Sequence, residues 1–195
     1  METLTKSDPA GLHNLTGQTP YFFVRDVPVY GDLMLAPMDG YSDMPFRSLC
    51  RELGSAMSYT EFVSVESLSR RGEHDEITRR KLQFDSREPP IVFQIYGHDE
   101  ERIVESARRL QDLGPDIIDI NMGCYVRKIA ERGAGSGMLR DPAKIARLLV
   151  RLTRAVRVPV TAKIRLGWDE RTRNYLEVAR ILEENGASLI AVHAR

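Results

Sequence analysis

Short apolar runs alternate along this chain with longer amphipathic segments, and this alternation predicts an α/β fold built on a parallel sheet. Six runs have the length and composition of buried strands, namely residues 33–36, 56–60, 91–96, 117–121, 158–164 and 189–193. Their spacing is typical of a (β/α)8 TIM barrel, so we expect an incomplete barrel with about six of its eight strand–helix units. An open, doubly wound sheet is the alternative, although no G-x-G-x-x-G motif follows the first strand.

The chain divides into a short lead-in and one domain. Residues 1–20 show no apolar periodicity, which predicts a weakly ordered N-terminal segment. Residues 21–24 and 27–30 are two strand-like runs, and they predict a hairpin that packs under the core. We expect residues 21–195 to form a single barrel domain, C-terminally truncated because the chain stops directly after a strand.

Capping residues mark the helices between the strands. Asp99 and Asp141 are predicted N-caps, and Pro142 suits the first helical position that follows. The Asn185-Gly186 pair is typical of a left-handed helix end.

The composition of the chain argues against a secreted disulfide-rich protein and against a membrane protein. The 28 basic and 28 acidic residues balance, so contact with nucleic acid requires a local basic patch. The two cysteines are too few for a secreted disulfide framework and fit a reducing compartment. No run approaches the roughly 20 apolar residues of a membrane span, and the N-terminus lacks a signal pattern. We therefore expect a cytoplasmic protein without a membrane segment.

Polar side chains converge at the carboxyl ends of the predicted strands. Strand side chains alternate between two faces, and the apolar residues suit the face under the helices. The opposite parity directs a group of polar residues inward: Gln94, Asn121, Lys163, Arg165 and His193. Any one of them could be a satisfied structural residue, for example a lysine paired with Asp119, which the same parity directs inward. Because burying such groups without partners is costly, all of them at one end indicate a binding site.

Cys124 follows the fourth predicted strand in a glycine-containing loop near cations, which makes it a candidate nucleophile or proton donor. Cys50 lies in a helical pattern and is expected to be a small core residue. No second cysteine or histidine stands at ligand spacing from Cys124, so we expect no metal site.

Two further patterns border the predicted mouth. Residues 132–137 carry alternating glycines but lack the lysine of a phosphate-binding loop, so we expect a mobile lid. The basic residues nearest the mouth are candidates for RNA phosphate contact: Arg127, Lys128 and Arg132. The helical series Arg147, Arg151 and Arg154 is expected to form a solvated helix face.

An ordered set of motifs resembles the tRNA-dihydrouridine synthases. The motifs are LAPM at residues 35–38, TEF at 60–62, QIYG at 94–97, DINMGC at 119–124, RGAG at 132–135, KIRLG at 163–167 and VHAR at 192–195. The resemblance spans residues 33–195, and the cysteine loop in this order with the lysine and histidine strands is its most specific part.

This resemblance implies an FMN-bearing barrel followed by a helical domain that helps to hold tRNA. By position it implies that the flavin is contacted by Pro37, Met38, Gln94, Lys163 and His193. Asn121 and Arg165 would place the target uracil, and Cys124 would be the acid. NADPH would reduce FMN, hydride would pass to C6 of the uracil, and Cys124 would protonate C5.

Two residues depart from the family pattern: Tyr125 stands where proline is usual, and Ala194 stands where glycine is usual. Two alternatives remain open from the sequence. One is another FMN-dependent barrel oxidoreductase that acts on a free pyrimidine, and the other is an inactive truncated fragment.

Overall fold

A computed structural model describes residues 19–195 of the chain. The weakly ordered segment expected at residues 1–20 therefore lies almost entirely outside the described residues.

The described residues form eight strands and seven α-helices. The strands are β1 Phe22–Val24, β2 Val27–Val29, β3 Ser58–Tyr59, β4 Val63–Ser64, β5 Ile91–Tyr96, β6 Ile117–Met122, β7 Val160–Arg165 and β8 Leu189–His193. The helices are α1 Met44–Glu52, α2 Val65–Arg71, α3 Glu76–Leu82, α4 Glu100–Gln111, α5 Arg127–Ala130, α6 Pro142–Ala155 and α7 Tyr175–Glu184, with a 3-10 helix at Gly135–Arg140.

The main sheet is parallel and curled, as in half of a barrel. Strands β5, β6, β7 and β8 pair in sequence order, while β3 and β4 pair with the two ends of β5. The six segments thus fill five strand positions, and β1 and β2 form a separate antiparallel hairpin. The predicted α/β class, parallel sheet and hairpin are confirmed.

The prediction of a first barrel strand at residues 33–36 is wrong for this structure. The segment is extended and lies beside the residues that precede β3, but it forms no assigned strand. The Leu33 carbonyl accepts a hydrogen bond of 2.8 Å from the Ala56 amide, whereas the Leu35 amide donates to the Ser55 hydroxyl. A side chain therefore takes the place of a ladder partner, and Pro37 has no amide hydrogen to extend the pairing.

Two apolar clusters lie on opposite sides of the polar residues. The larger cluster fills the space between the sheet and helices α4, α6 and α7, and it includes Ile118, Ile120, Ala162 and Ile164. The smaller cluster contains Val24 and Val29 of the hairpin together with residues at the amino ends of the strands, including Val92 and Ile117. The hairpin therefore packs under the core, as the sequence predicts.

Helix boundaries follow the capping residues. Asp99 accepts a hydrogen bond from the Arg102 amide, and Asp141 accepts one from the Lys144 amide with Pro142 as the first helical residue. Gly186 has φ of +92°, the left-handed conformation expected after α7. The seven-residue helices α2 and α3 are absent from the sequence prediction, although both begin after a side-chain cap, Ser64 and Asp75.

Candidate active site at the carboxyl ends of the strands

Inward-facing residues lie in three levels on the face of the sheet that the helices leave open. The strand register places Gln94 beside Asp119 and Asp119 beside Thr161. One level higher, Asn121 is the partner of Lys163. At the top, Arg165 is the partner of His193. The structure thus brings together the five polar residues that strand parity selects.

The lowest level is a fully buried hydrogen-bonded group centred on Asp119. The Gln94 side-chain amide donates to the Asp119 carboxylate at 2.6 Å, and the Thr161 hydroxyl donates to its other oxygen at 2.6 Å. Burial raises the pKa of Asp119 from 3.8 to about 6, against the effect of these hydrogen bonds and of the Lys163 charge. The carboxyl group is therefore mainly ionised at neutral pH.

Asn121 connects this buried level to the cysteine loop. Its side-chain nitrogen donates to the Gln94 carbonyl oxygen at 2.9 Å. Its side-chain oxygen accepts the backbone amides of Gly123 at 3.1 Å and Cys124 at 2.9 Å. Because two backbone donors fix this oxygen, the cysteine loop is held directly above the buried group.

The glycine run that follows is packed against the back of the cysteine loop. Gly135–Arg140 forms a 3-10 helix, and residues 135–139 are all buried. The Ser136 amide donates to the Cys124 carbonyl at 2.9 Å, and Gly135 has φ of +54°. A Cβ atom at Gly135 would lie 2.6 Å from the Cys124 carbonyl oxygen. The prediction of a mobile lid at residues 132–137 is therefore wrong, because these glycines permit close backbone packing.

The two upper levels are positively charged. Burial lowers the pKa of Lys163, and Arg165 lowers it further while Asp119 raises it. The pKa of His193 is also lowered, first by loss of hydration and then by Lys163, Arg165 and Arg195. His193 is therefore mainly neutral at pH 7, and the open end of the site favours an anionic ligand.

Met38 begins a turn on the β3 side of the sheet, and Pro37 directly precedes this turn. The Met38 amide donates to the Ser42 hydroxyl at 2.9 Å, and the Gly40 amide donates to the buried Glu61 carboxylate at 2.6 Å. Met38 itself is 39% exposed. Within the described residues, no hydrogen bond joins Pro37 or Met38 to the polar residues of β5 to β8, so their approach to a common ligand stays a prediction.

Several residues that organise this site are missing from the sequence prediction. The sequence predicts that Asp119 points inward but gives it no role beyond that of a partner for a lysine, and it assigns no role to Thr161, Glu61 or Ser42. The alternation of strand residues contains the signal for two of them, because Asp119 shares a face with Asn121 and Thr161 shares a face with Lys163. Glu61 lies between β3 and β4, where no strand periodicity marks a direction.

Across residues 19–195, no group of three or more His, Cys, Asp or Glu side chains is placed to hold a metal ion. No helix in the same part of the chain is long and apolar enough to cross a membrane.

The sheet is parallel and curled, helices cover one face, and polar residues lie at the carboxyl ends of the strands on the other face. These features define a barrel-type α/β protein, a class in which active sites lie at the carboxyl ends of the strands. The family model for dihydrouridine synthases matches residues 34–195, and the chain belongs to this family.

Curated relatives agree with the family assignment. The chain is 45% identical over 163 residues to tRNA-dihydrouridine synthase B of Pseudomonas aeruginosa. The aligned region covers 84% of this chain and 48% of that protein. The chain is 36% identical to the protein of the same name from Pasteurella multocida, with the same coverage. A probable tRNA-dihydrouridine synthase 1 of Synechocystis is 35% identical over 173 residues, or 88% of this chain and 48% of that protein. The chain thus spans about half the length of the curated relatives it matches.

Proposed function

We propose that this chain carries the reducing site of a flavin-dependent tRNA-dihydrouridine synthase, an oxidoreductase that reduces the C5=C6 bond of specific tRNA uridines with FMN and NADPH. The observation that carries the proposal is the attachment of the Cys124 loop to Asn121, at the same strand ends as Lys163, Arg165 and His193. The names of the relatives support the reaction class, and the polar levels supply the groups that the reaction needs.

The donor set of the upper levels fits an isoalloxazine ring. Lys163 and His193 offer a cation and a neutral imidazole, and Pro37 and Met38 offer an apolar edge from the turn opposite. When bound, the flavin supplies the hydride that reduces the uracil. Lys163 would stabilise negative charge at the ring because its ammonium group is half-buried and lies in a medium of low dielectric. The resemblance also assigns a ring contact to Gln94. Its side chain is fully buried and already bonds to Asp119 and Asn121, so it would support the floor of the site.

Cys124 is the proposed acid, and its place in the loop suits that task. Its side chain is only partly buried, while its amide and carbonyl are held by Asn121 and Ser136. The backbone is thus fixed while the residue stays partly exposed, which suits a group that must deliver a proton to C5 of a substrate uracil. Asn121 and Arg165 would orient that uracil, since both lie beside the cysteine loop.

The proposed RNA contacts surround the cysteine loop. Three exposed basic residues follow the loop in the chain, namely Arg127, Lys128 and Arg132. Arg127 is paired with Glu131 at 2.6 Å, but both side chains are solvent-exposed, so a phosphate can displace this ion pair. A uridine must leave its stack to reach Cys124, and the cations would bind the phosphates beside the displaced base.

The two cysteines allow a matched test of the proposal. Cells of the source organism that lack this gene should lose dihydrouridine from tRNA, and the wild-type gene should restore it. The Cys50→Ala gene should restore it equally, whereas the Cys124→Ala gene should restore almost none. The purified Cys124→Ala protein should still bind FMN and oxidise NADPH, because the flavin half-reaction does not use the thiol. Unchanged dihydrouridine with Cys124→Ala would remove this residue from the mechanism.

Assays of the purified protein also distinguish the two alternative functions. Reduction of uridine monophosphate in preference to unmodified tRNA would indicate an oxidoreductase for free pyrimidines. A purified chain that is colourless after incubation with FMN and removal of the unbound flavin would indicate an inactive fragment.

A further inference from the structure

The turn at residues 38–42, which carries Met38, is fastened to the rest of the protein at several points. Within the turn, the Ser42 hydroxyl bonds to both the amide and the carbonyl of Met38, each at 2.9 Å. From outside, the Gly40 amide donates to Glu61 at 2.6 Å, and Lys81 forms an ion pair with Asp39. The turn is therefore tied to the segment after β3 and to α3.

A buried glutamate such as Glu61 is an unusual residue for holding a surface turn in place. Its side chain is only 3% exposed, although carboxylates are seldom buried without a partner. Its hydrogen bond to a backbone amide is charge-assisted and short. A buried carboxylate that holds one glycine amide of an otherwise exposed turn indicates that the position of the turn matters.

Lys81 connects the same turn to the end of β5. Its ammonium group bonds to the Phe62 carbonyl at 3.5 Å and lies 5.7 Å from the centre of the Phe62 ring. The Phe62 ring packs edge-on against Tyr96 at 5.1 Å between ring centres. Tyr96 is on the same strand face as Gln94, so this series of contacts leads from the turn to the polar levels of the site.

We propose that Glu61 and Lys81 are positioning residues that hold the Met38 turn as a fixed wall of the flavin site. The proposal rests on the proposed function for the identity of the ligand, whereas the rigidity of the turn is independent of it. A wall that is already ordered costs no ordering entropy when the ring binds, so loss of either tether should weaken flavin binding. Neither residue touches the reacting atoms in this proposal.

Glu61 allows a sharp comparison between two replacements of similar size. Glu61→Gln keeps a side-chain oxygen that accepts the Gly40 amide, whereas Glu61→Leu removes it. Glu61→Leu should increase hydrogen exchange at the Gly40 amide by about tenfold or more in the flavin-free chain. It should also weaken FMN binding by about tenfold, measured by quenching of flavin fluorescence. Glu61→Gln should fall between Glu61→Leu and wild type in both measurements, because a neutral acceptor keeps the hydrogen bond without its charge assistance.

Lys81 supplies a second test, which holds even if Glu61→Leu does not fold. Lys81→Met should weaken FMN binding by about three- to tenfold, whereas Arg80→Met should leave it unchanged because Arg80 is an exposed residue of the same helix. Equal FMN affinity in the two variants overturns the role of Lys81. Faster exchange at Gly40 without weaker FMN binding overturns the role of the turn.

A failure of the proposed function gives a different result. In that case the wild-type chain binds no FMN, whatever the exchange rate of the Gly40 amide.

Discussion

The guanidinium carbon of Arg165 lies 5.4 Å from the ring centre of Tyr125, which stands where the family usually has proline. This cation–π contact joins the top of β7 to the cysteine loop and holds the proposed uracil-binding arginine in place. Such a contact contributes about 0.5–1 kcal/mol at exposed sites.

We therefore expect Tyr125→Ala to weaken the binding of unmodified tRNA by about two- to fivefold in fluorescence anisotropy. Tyr125→Phe keeps the ring and should bind like wild type. Equal loss in both variants would assign the effect to the tyrosine hydroxyl and not to the contact with Arg165.

The buried carboxyl group of Asp119 makes stability depend on pH. Its pKa is about 6 in the folded protein and 3.8 in the reference state, so between these values the folded state holds a proton that the unfolded state releases. The free energy of unfolding should therefore fall as pH rises from about 4 to 6, by a total of about 3 kcal/mol from this group.

Asp119→Asn should remove this component, because an amide does not titrate. The variant should keep its fold, since the oxygen of the introduced amide can accept from Gln94 while its nitrogen donates to the Thr161 hydroxyl. Urea denaturation of both proteins at several pH values measures the difference. Identical pH profiles would show that Asp119 does not titrate in this range.

A buried ion pair beneath the Met38 turn should dominate local stability. Arg47 and Glu88 are 1% and 0% exposed, their closest atoms are 2.7 Å apart, and Arg47 also donates to the Ser42 and Gln83 carbonyls. Arg47→Met leaves the Glu88 carboxylate buried without its cation, which should cost about 3–5 kcal/mol of unfolding free energy.

Arg87→Met is the matched control, because Arg87 pairs with Asp85 at the surface and is 53% exposed. It should change the free energy of unfolding by less than about 0.5 kcal/mol in the same denaturation experiment. A loss of similar size in both variants would contradict the assignment of the stability to burial of the pair.

Substitutions at two glycines with positive φ distinguish backbone strain from a steric clash with the cysteine loop. Gly133 and Gly135 have φ of +81° and +54°, but only at Gly135 would a Cβ atom meet the Cys124 carbonyl. Alanine at either position should destabilise the protein by about 1 kcal/mol through strain. Only Gly135→Ala should also change the rate of Cys124 alkylation by iodoacetamide, measured with Cys50 replaced by alanine. Equal alkylation rates in the two variants would show that the loop is insensitive to this contact.

The sequence was most informative where periodicity and capping act locally. Strand alternation placed Lys163 and Arg165 on one face, and Asp99 and Asp141 marked the starts of two helices, as the structure confirms. These features depend on neighbours within a few residues, so a single sequence contains their signal.

The features that the sequence did not predict depend on contacts between residues that are far apart in the chain. The segment at residues 33–36 has strand composition, but the Ser55 hydroxyl takes the Leu35 amide and ends the ladder. The glycines at residues 133–137 suggested mobility because the backbone that Gly135 approaches, the Cys124 carbonyl, lies on another segment. Glu61 gave no signal for the same reason, since Gly40 is 21 residues away.

The buried polar residues around Asp119 also influence the register in which the strands pair during folding. If β6 paired with β5 one residue out of register, the Asp119 carboxylate would enter the apolar layer under the helices and Ile120 would face the open side. An uncompensated charge in that layer is far more costly than a misplaced methyl group. The side chains that form the floor of the proposed ligand site therefore also select one strand alignment and disfavour misfolded pairings.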